Sequence, residues 1–270
     1  MPLRLDSITK NSQDSSLIAW ILQRGTQECD SAFATPDKKY IHMKRKILDR
    51  SSHEKIGEIV FTLQNTGTQL EILDMDIILV SENVSRIRFE DLRERSDSNE
   101  YYEVSTIGED SHLVIETVNR FTEPKELINT ERDVHISMFP FQVNLYKDID
   151  EFNRWAGFSK PIEAGKGTGL FVHGLSERFS MPGGMMSNKK DDDGNYSFIV
   201  GTVKSFRDVS PDFGDNRLPF VLVKVDTAVG VVPVAMGRDV FDLKKLSVGC
   251  VVAMNTVVKA DVAPAGAFNR

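Results

Sequence analysis

The chain has 270 residues, of which 40% are hydrophobic and 27% charged, and it carries 16 Phe, 2 Cys and a formal charge of −7. This composition excludes global disorder and a cysteine-dense scaffold, because a chain of this size buries roughly three quarters of its unfolded surface without metals or disulfides. The acidic balance excludes a wholly basic nucleic-acid coat and leaves room for a local binding face. Up to residue 169 there are 21 Lys and Arg against 29 Asp and Glu, and from Leu170 onwards 12 against 11, giving formal charges of −8 and +1. No apolar run is long enough to span a bilayer, and the opening Met1 to Asp6 lacks the hydrophobic core of a signal peptide. The expectation is a soluble protein of the cytoplasm or another intracellular compartment, without direct transmembrane association.

The first predicted element is a helix over residues 15–24, with Asp14 or Ser15 as N-cap and Gly25 as its stop; its apolar residues are continuous enough that a strand stays open. Strand-sized units follow at residues 40–48, 56–63, 70–80 and 84–89, with Asn65-Thr66-Gly67 as a turn. They predict a β-rich N-terminal domain of antiparallel strands, with α+β as the alternative class. Asp74 and Asp76 share strand parity, which reads as solvent-facing acids on an edge strand rather than an acid/base pair. Residues 90–100 alternate in charge sign and read as a solvated connector, either a short helix or a loop. Further strands are predicted at 101–107, 112–118 and 134–146, the last carrying Pro140, which marks an edge, a bulge or a division. A helix begins at Asp148, whose side chain caps the first turn with Glu151 in a capping-box-like position, and Phe152 and Trp155 anchor it ahead of Gly157.

Residues 159–169, with Pro161 and the glycines Gly165, Gly167 and Gly169, predict a boundary between a β-rich assembly or interaction domain at 1–158 and a stretch of linker and permissive loops at 159–194. Beyond it, strands at 196–206, 219–225 and 229–236, a short helix over 240–246 capped by Asp239, and a β segment or pair at 250–261 look like a small oligonucleotide- or oligosaccharide-binding barrel, the OB-fold, over 195–265. A flexible tail at 266–270 follows. In the run 221–225, three valines share one packed face while Leu222 and Lys224 face outward. A β-sandwich, an SH3-like barrel and a mixed fold use the same pattern and stay open.

Several motifs bear on chemistry. The glycines around Lys166 and Gly167 offer amides and charge for phosphate, yet their spacing is that of neither a P-loop nor a dinucleotide fingerprint, and a linker is the preferred reading. Asp191, Asp192 and Asp193 fail the EF-hand pattern at both of its ends. His173 and Ser176, with Asp191 or Asp193 as acid, are the components of an uncharacterised hydrolase, but no nucleophile elbow surrounds Ser176. His42, His53, His112, His135 and His173 are scattered, so no metal site and no cofactor are predicted. The sequons Asn83-Val84-Ser85 and Asn195-Tyr196-Ser197 carry little weight without a secretory signal.

One cluster combines aromatic and cationic side chains: Phe198, Lys204, Phe206, Arg207, Lys224 and Arg238. In a regular strand Tyr196, Phe198, Lys204 and Phe206 share a face, with Arg207 on the other unless a bulge intervenes. Such a face suits base or sugar stacking, or alternatively rings in a core with cations at its rim. The function expected is non-enzymatic macromolecular binding or assembly, with another protein or a second copy of the chain as partner. Single-stranded nucleic-acid or carbohydrate binding is the first alternative and the hydrolase the second.

Overall fold

The computed structural model of the chain describes residues 29–35, 37–94, 100–107, 111–118, 127–156, 176–183, 195–212 and 219–262. The helix expected at 15–24, the glycine segment with Lys166 and Gly167, His173 and Asp191 to Asp193 lie outside these residues. The chain is predominantly β. A four-stranded antiparallel sheet is built from β1 (Ser31–Ala34), β2 (Tyr40–Leu48), β3 (Lys55–Asn65) and β4 (Leu70–Leu79). A second, nine-stranded sheet contains β5 (Ser85–Glu94), β6 (Glu100–Thr106), β7 (His112–Thr117), β8 (Glu131–Tyr146), β9 (Phe179–Pro182), β10 (Ser197–Val209), β11 (Phe220–Thr227), β12 (Gly230–Gly237) and β13 (Val251–Val262). A helix, α1 (Ile149–Trp155), follows β8; Asp148 caps it by accepting from the Glu151 N–H at 2.8 Å, and Glu151 accepts in return from the Lys147 N–H at 2.5 Å.

Three local expectations are corrected. The connector at 90–100 is a continuation of β5 through Glu94: a bulge between Phe89 and Asp91 turns Leu92 back toward the core opposite Tyr102, so burial outweighs the charged composition. The helix expected at 240–246 is a single 3-10 turn, Leu243–Lys245, capped by Asp242 rather than Asp239. Strands β1 and β9 are four residues each, too short for an alternating pattern, and pairing with β2 and β10 forms them. Strand β9 falls within the stretch expected as linker.

Eight of the nine strands close two rings that share one pair, and β9 lies outside both, paired to β10. Strand β8 is antiparallel to β13 along nearly its whole length. The first ring runs β8, β5, β6, β7, β13, closing through the parallel pair Lys259 and Glu116; the second runs β8, β12, β11, β10, β13, closing through the parallel pair Val234 and Met138. Each ring is thus a three-strand meander completed by β8 and β13. The barrel expected over 195–265 does not close by itself, because its fifth strand is β8, and the expected boundary at 159–194 separates neither two sheets nor two cores. One apolar cluster runs through both rings, from Ile87, Val104 and Leu113 to Val223, Val234 and Val258.

Two serines join the rings. Along the outer edge of β8, strands β5 and β12 follow one another, and the Ser85 hydroxyl donates to the Val229 carbonyl at 2.6 Å. Along the outer edge of β13, strands β10 and β7 follow one another, and Ser197 accepts from the Val114 N–H at 2.8 Å and donates to its carbonyl at 3.1 Å. Both serines are buried and end the two N-x-S triplets, and two residues further on Ile87 and Ile199 point into the shared core. The repeated triplet is therefore structural: it opens each meander and joins it to the other ring, Ser85 at the turn that leads into β12 and Ser197 at β7.

Bulges set which side chains enter the core. In β8 the extra residue is Phe141, next to Pro140, so inward positions switch from Val134, Ile136 and Met138 to Val143 and Leu145. Gly201 is required where β10 crosses β11, since a Cβ there would lie 2.5 Å from Val225 and 2.6 Å from the Asp226 carbonyl. At the two-residue turn between β11 and β12, Gly230 takes φ of +94°.

The four-stranded sheet lays Ile59, Phe61, Leu63, Ile77 and Leu79 over Phe139, Val209, Phe220 and Ala235 on the outside of the second ring. Leu222, expected to face outward, packs here, while Val221, Val223 and Val225 enter the core as expected. On edge strand β4 the carboxylates of Asp74 and Asp76 accept from the N–H groups of Met75 and Ile77, each at 3.0 Å, which covers donors that an edge otherwise offers to another strand.

Candidate functional site

Strand β10 positions most of the predicted site. A bulge at Lys204 shifts its register against β11: Val203 faces Val225, and Ser205 faces Lys224. Phe198 and Thr202 lie on the outward side, and Lys204 stays there because its Nζ is 3.1 Å from Asp226, the partner of Thr202. After the bulge, Arg207 joins this side, opposite Leu222, while Phe206 turns to the side of Val223 and is 40% exposed. The regular-strand expectation that Phe206 accompanies Phe198 is therefore corrected, and the structure brings Phe198, Lys204, Arg207 and Lys224 onto one side. Arg238, in the turn after β12, stands apart, 2.7 Å from Asp208.

The cations are each matched to a carboxylate. Asp226 takes Lys204 and Arg178, the latter at 2.8 Å; burial raises the proton affinity of Asp226, but the hydrogen bonds from these two cations outweigh it and hold the carboxyl below its usual range. Lys224 is 3.0 Å from Glu82, and Arg207 pairs with Glu54. The last two pairs tie connections of the four-stranded sheet to the second ring, and among the described residues here the cations and acids leave no single-sign field.

The same outward side continues into an aromatic surface that sequence reasoning missed. Gln142, Asn255, Phe198 and Met181 form one row across β8, β13, β10 and β9, with Asn255 donating to Gln142 at 2.9 Å. Helix α1 lies on the neighbouring positions: Phe152 is buried beside Tyr146 with ring centroids 5.3 Å apart, and Trp155 stacks on Phe152 at 6.3 Å while staying 64% exposed. Phe179 and Phe198 pack against this cluster. Burial and the nearby Glu151 push the Tyr146 phenol up to about 12. The bulged Phe141 is 53% exposed and meets Tyr196 edge-on at 5.2 Å. The available signal was Phe152 and Trp155 three residues apart on a capped helix, but a seven-residue helix does not reveal which strands it rests on.

Other candidates resolve into local structure. The Ser176 hydroxyl donates to the Arg178 carbonyl at 2.8 Å and accepts from its N–H at 3.2 Å, the geometry of a turn. A groove of about 260 Å³ between the four-stranded sheet and the β8–β13 pair is lined by Lys55, Glu58, Val80, Ser81, His135 and Asp261 among others, and Lys55 and Glu58 pair with each other. Among the described residues, no three His, Cys, Asp or Glu side chains gather as a metal cage, and no helix is long and apolar enough to cross a membrane. Cys29 and Cys250 are free thiols. No protein-family model, curated protein or solved structure matches the chain.

Proposed function

We propose that the protein is a non-enzymatic assembly protein whose contact surface is the aromatic outward side of β8, β13, β10 and β9 together with α1, and that it seats a second copy of the chain. The observation that carries this reading is the exposure of Trp155 and Phe141 beside a bed of buried and half-buried rings. Large, rigid aromatic side chains in such a setting are the residues that anchor protein interfaces. A chain with a net charge of −7 repels its own copies, so self-contact favours a region where acids and bases balance. The paired Arg178, Lys204 and Asp226 supply that balance beside the rings. Light scattering of the full chain over about a hundredfold concentration range tests the reading. Mass increasing with concentration in the wild type, and at least tenfold weaker self-association in Trp155→Ala and Phe141→Ser, are expected. A monomer at every concentration overturns it.

Single-stranded nucleic-acid or carbohydrate binding is the second reading, supported by the bulge at Lys204 that places Arg207 with Phe198, Lys204 and Lys224. The second ring also has five strands, the number found in an OB-fold. It ranks second because a polyanion must displace Glu54, Glu82 and Asp226 from the cations it uses. Binding of short labelled single strands that weakens steeply with salt, and is lost in Lys204→Ala, would reverse the order.

A further inference from the structure

The aromatic surface that seats a second copy in the reading above has a polar centre. Gln142, Asn255, Phe198 and Met181 form one outward row across β8, β13, β10 and β9, and Asn144, Ala253, Val200 and Phe179 form the next. Along the ribbon of β8 and β13, the edge-on rings of Phe141 and Tyr196 flank these rows at one end, and Tyr146 with the rings of α1 flanks them at the other. The Asn255 amide donates to Gln142 at 2.9 Å, and among the described residues neither side chain makes another hydrogen bond. Gln142 and Asn144 are exposed, and Asn255 is half-buried.

Two features of these rows bear on the symmetry of the contact. The first is the balance of donors and acceptors. A side-chain amide carries a carbonyl and an NH2 group, so one bond between two amides leaves a carbonyl free on one and an amino group free on the other, whichever way each is turned. Here the Gln142 amino group and the Asn255 carbonyl lie side by side on paired strands. One donor beside one acceptor is complementary to itself after a half-turn about an axis running between the two strands, which sets Gln142 of each copy on Asn255 of the other. The second feature is charge. Neither row contains Asp, Glu, Lys or Arg, in a chain where 27% of residues are charged. A charge beside a two-fold axis meets its own like in the second copy, so a contact of this symmetry favours an uncharged centre. The ion pairs of Asp226 with Arg178 and Lys204 stand to one side of it.

Building on the reading of this surface as a self-contact, we propose that the contact is isologous and closes at two copies, with the Gln142 and Asn255 pair on its two-fold axis. In each copy the Gln142 amino group donates to the Asn255 carbonyl of the other, and with the bond already present inside each copy the four amides form one ring of hydrogen bonds. The flanking aromatic rings supply the apolar area, and the amides set the register. A copy displaced by one row along the ribbon places Gln142 against Ala253, whose side chain accepts nothing, and leaves a covered amide unpaired. Because both copies use the same patch, no free copy of it remains to recruit a third chain.

Sedimentation velocity of the full chain tests the symmetry. The wild type is expected to reach the mass of two copies and stop. Gln142→Lys and Asn255→Asp are each expected to dimerise about tenfold more weakly than the wild type, because like charges then meet at the axis. An equal mixture of the two is expected to dimerise about tenfold more tightly than either alone, because the new ammonium of one chain faces the new carboxylate of the other. If Asn255→Asp does not fold, the mixture is made from Gln142→Lys and Gln142→Glu, which change only an exposed position. Assemblies larger than two copies overturn the proposal. A mixture no tighter than its tighter member overturns it as well and leaves the aromatic self-contact standing. A wild type that is monomeric at every concentration overturns both.

Discussion

The first and second rings follow the same order of pairings and share β8, β13 and one core, yet their outward surfaces differ. On the second ring, Val209, Phe220 and Ala235 lie under the four-stranded sheet. On the corresponding side of the first ring, Arg88, Ser105 and His112 stand in one row across β5, β6 and β7, with Arg88 and His112 exposed. The inward residues are apolar in both because closing a ring leaves them no water. Outward residues answer only to what covers them, so one meander reads as hydrophobic on both sides and the other alternates. The four-stranded sheet covers the second ring as a packing layer, while its other face reaches the first ring through Lys259, which lies 2.7 Å from Asp76 and 2.9 Å from Glu116.

The sharpest way to break that comparison is to remove the cover on one side. Phe220→Ala leaves a cavity between the second ring and the sheet, and a loss of about 3–5 kcal/mol in urea unfolding is expected. A loss under about 1 kcal/mol would mean that the layer collapses onto the gap. The joining serines give an intermediate and unequal pair. Ser197→Ala orphans both the N–H and the carbonyl of Val114 and is expected to cost about 2 kcal/mol, whereas Ser85→Ala removes one bond to the Val229 carbonyl and is expected to cost about 1 kcal/mol. Equal costs would place the two junctions on the same footing despite their different bonding. The smallest effect belongs to the open face: Arg88→Ala, whose side chain is 49% exposed and 3.7 Å from Glu90, is expected to change stability by less than about 0.5 kcal/mol. A cost comparable to that of Phe220→Ala would show that this face is covered too.

What the sequence determined by itself is local. Strand β2 falls at the alternation of residues 40–48, α1 starts at the capping side chain of Asp148, and Pro140 stands beside a bulge, because periodicity, capping and a missing N–H act within a few residues. The cations and rings of β10 were legible as residue types, while their grouping depended on the bulge at Lys204, which exchanges Phe206 for Arg207 on the outward side. The rest was decided by contacts between segments far apart in the chain. Which strands complete each ring depends on β8 and β13 finding one another, and the repeated N-x-S triplet acquires its purpose only when Ser85 and Ser197 reach the opposite ring. Asp76 has the parity of an edge-strand acid, and only Lys259 and Glu116, brought beside it by the parallel pairing of β7 with β13, make it a buried one. Side-chain period is a property of a single strand, whereas pairing partner and burial are properties of two strands at once, and these arise only in the assembled fold.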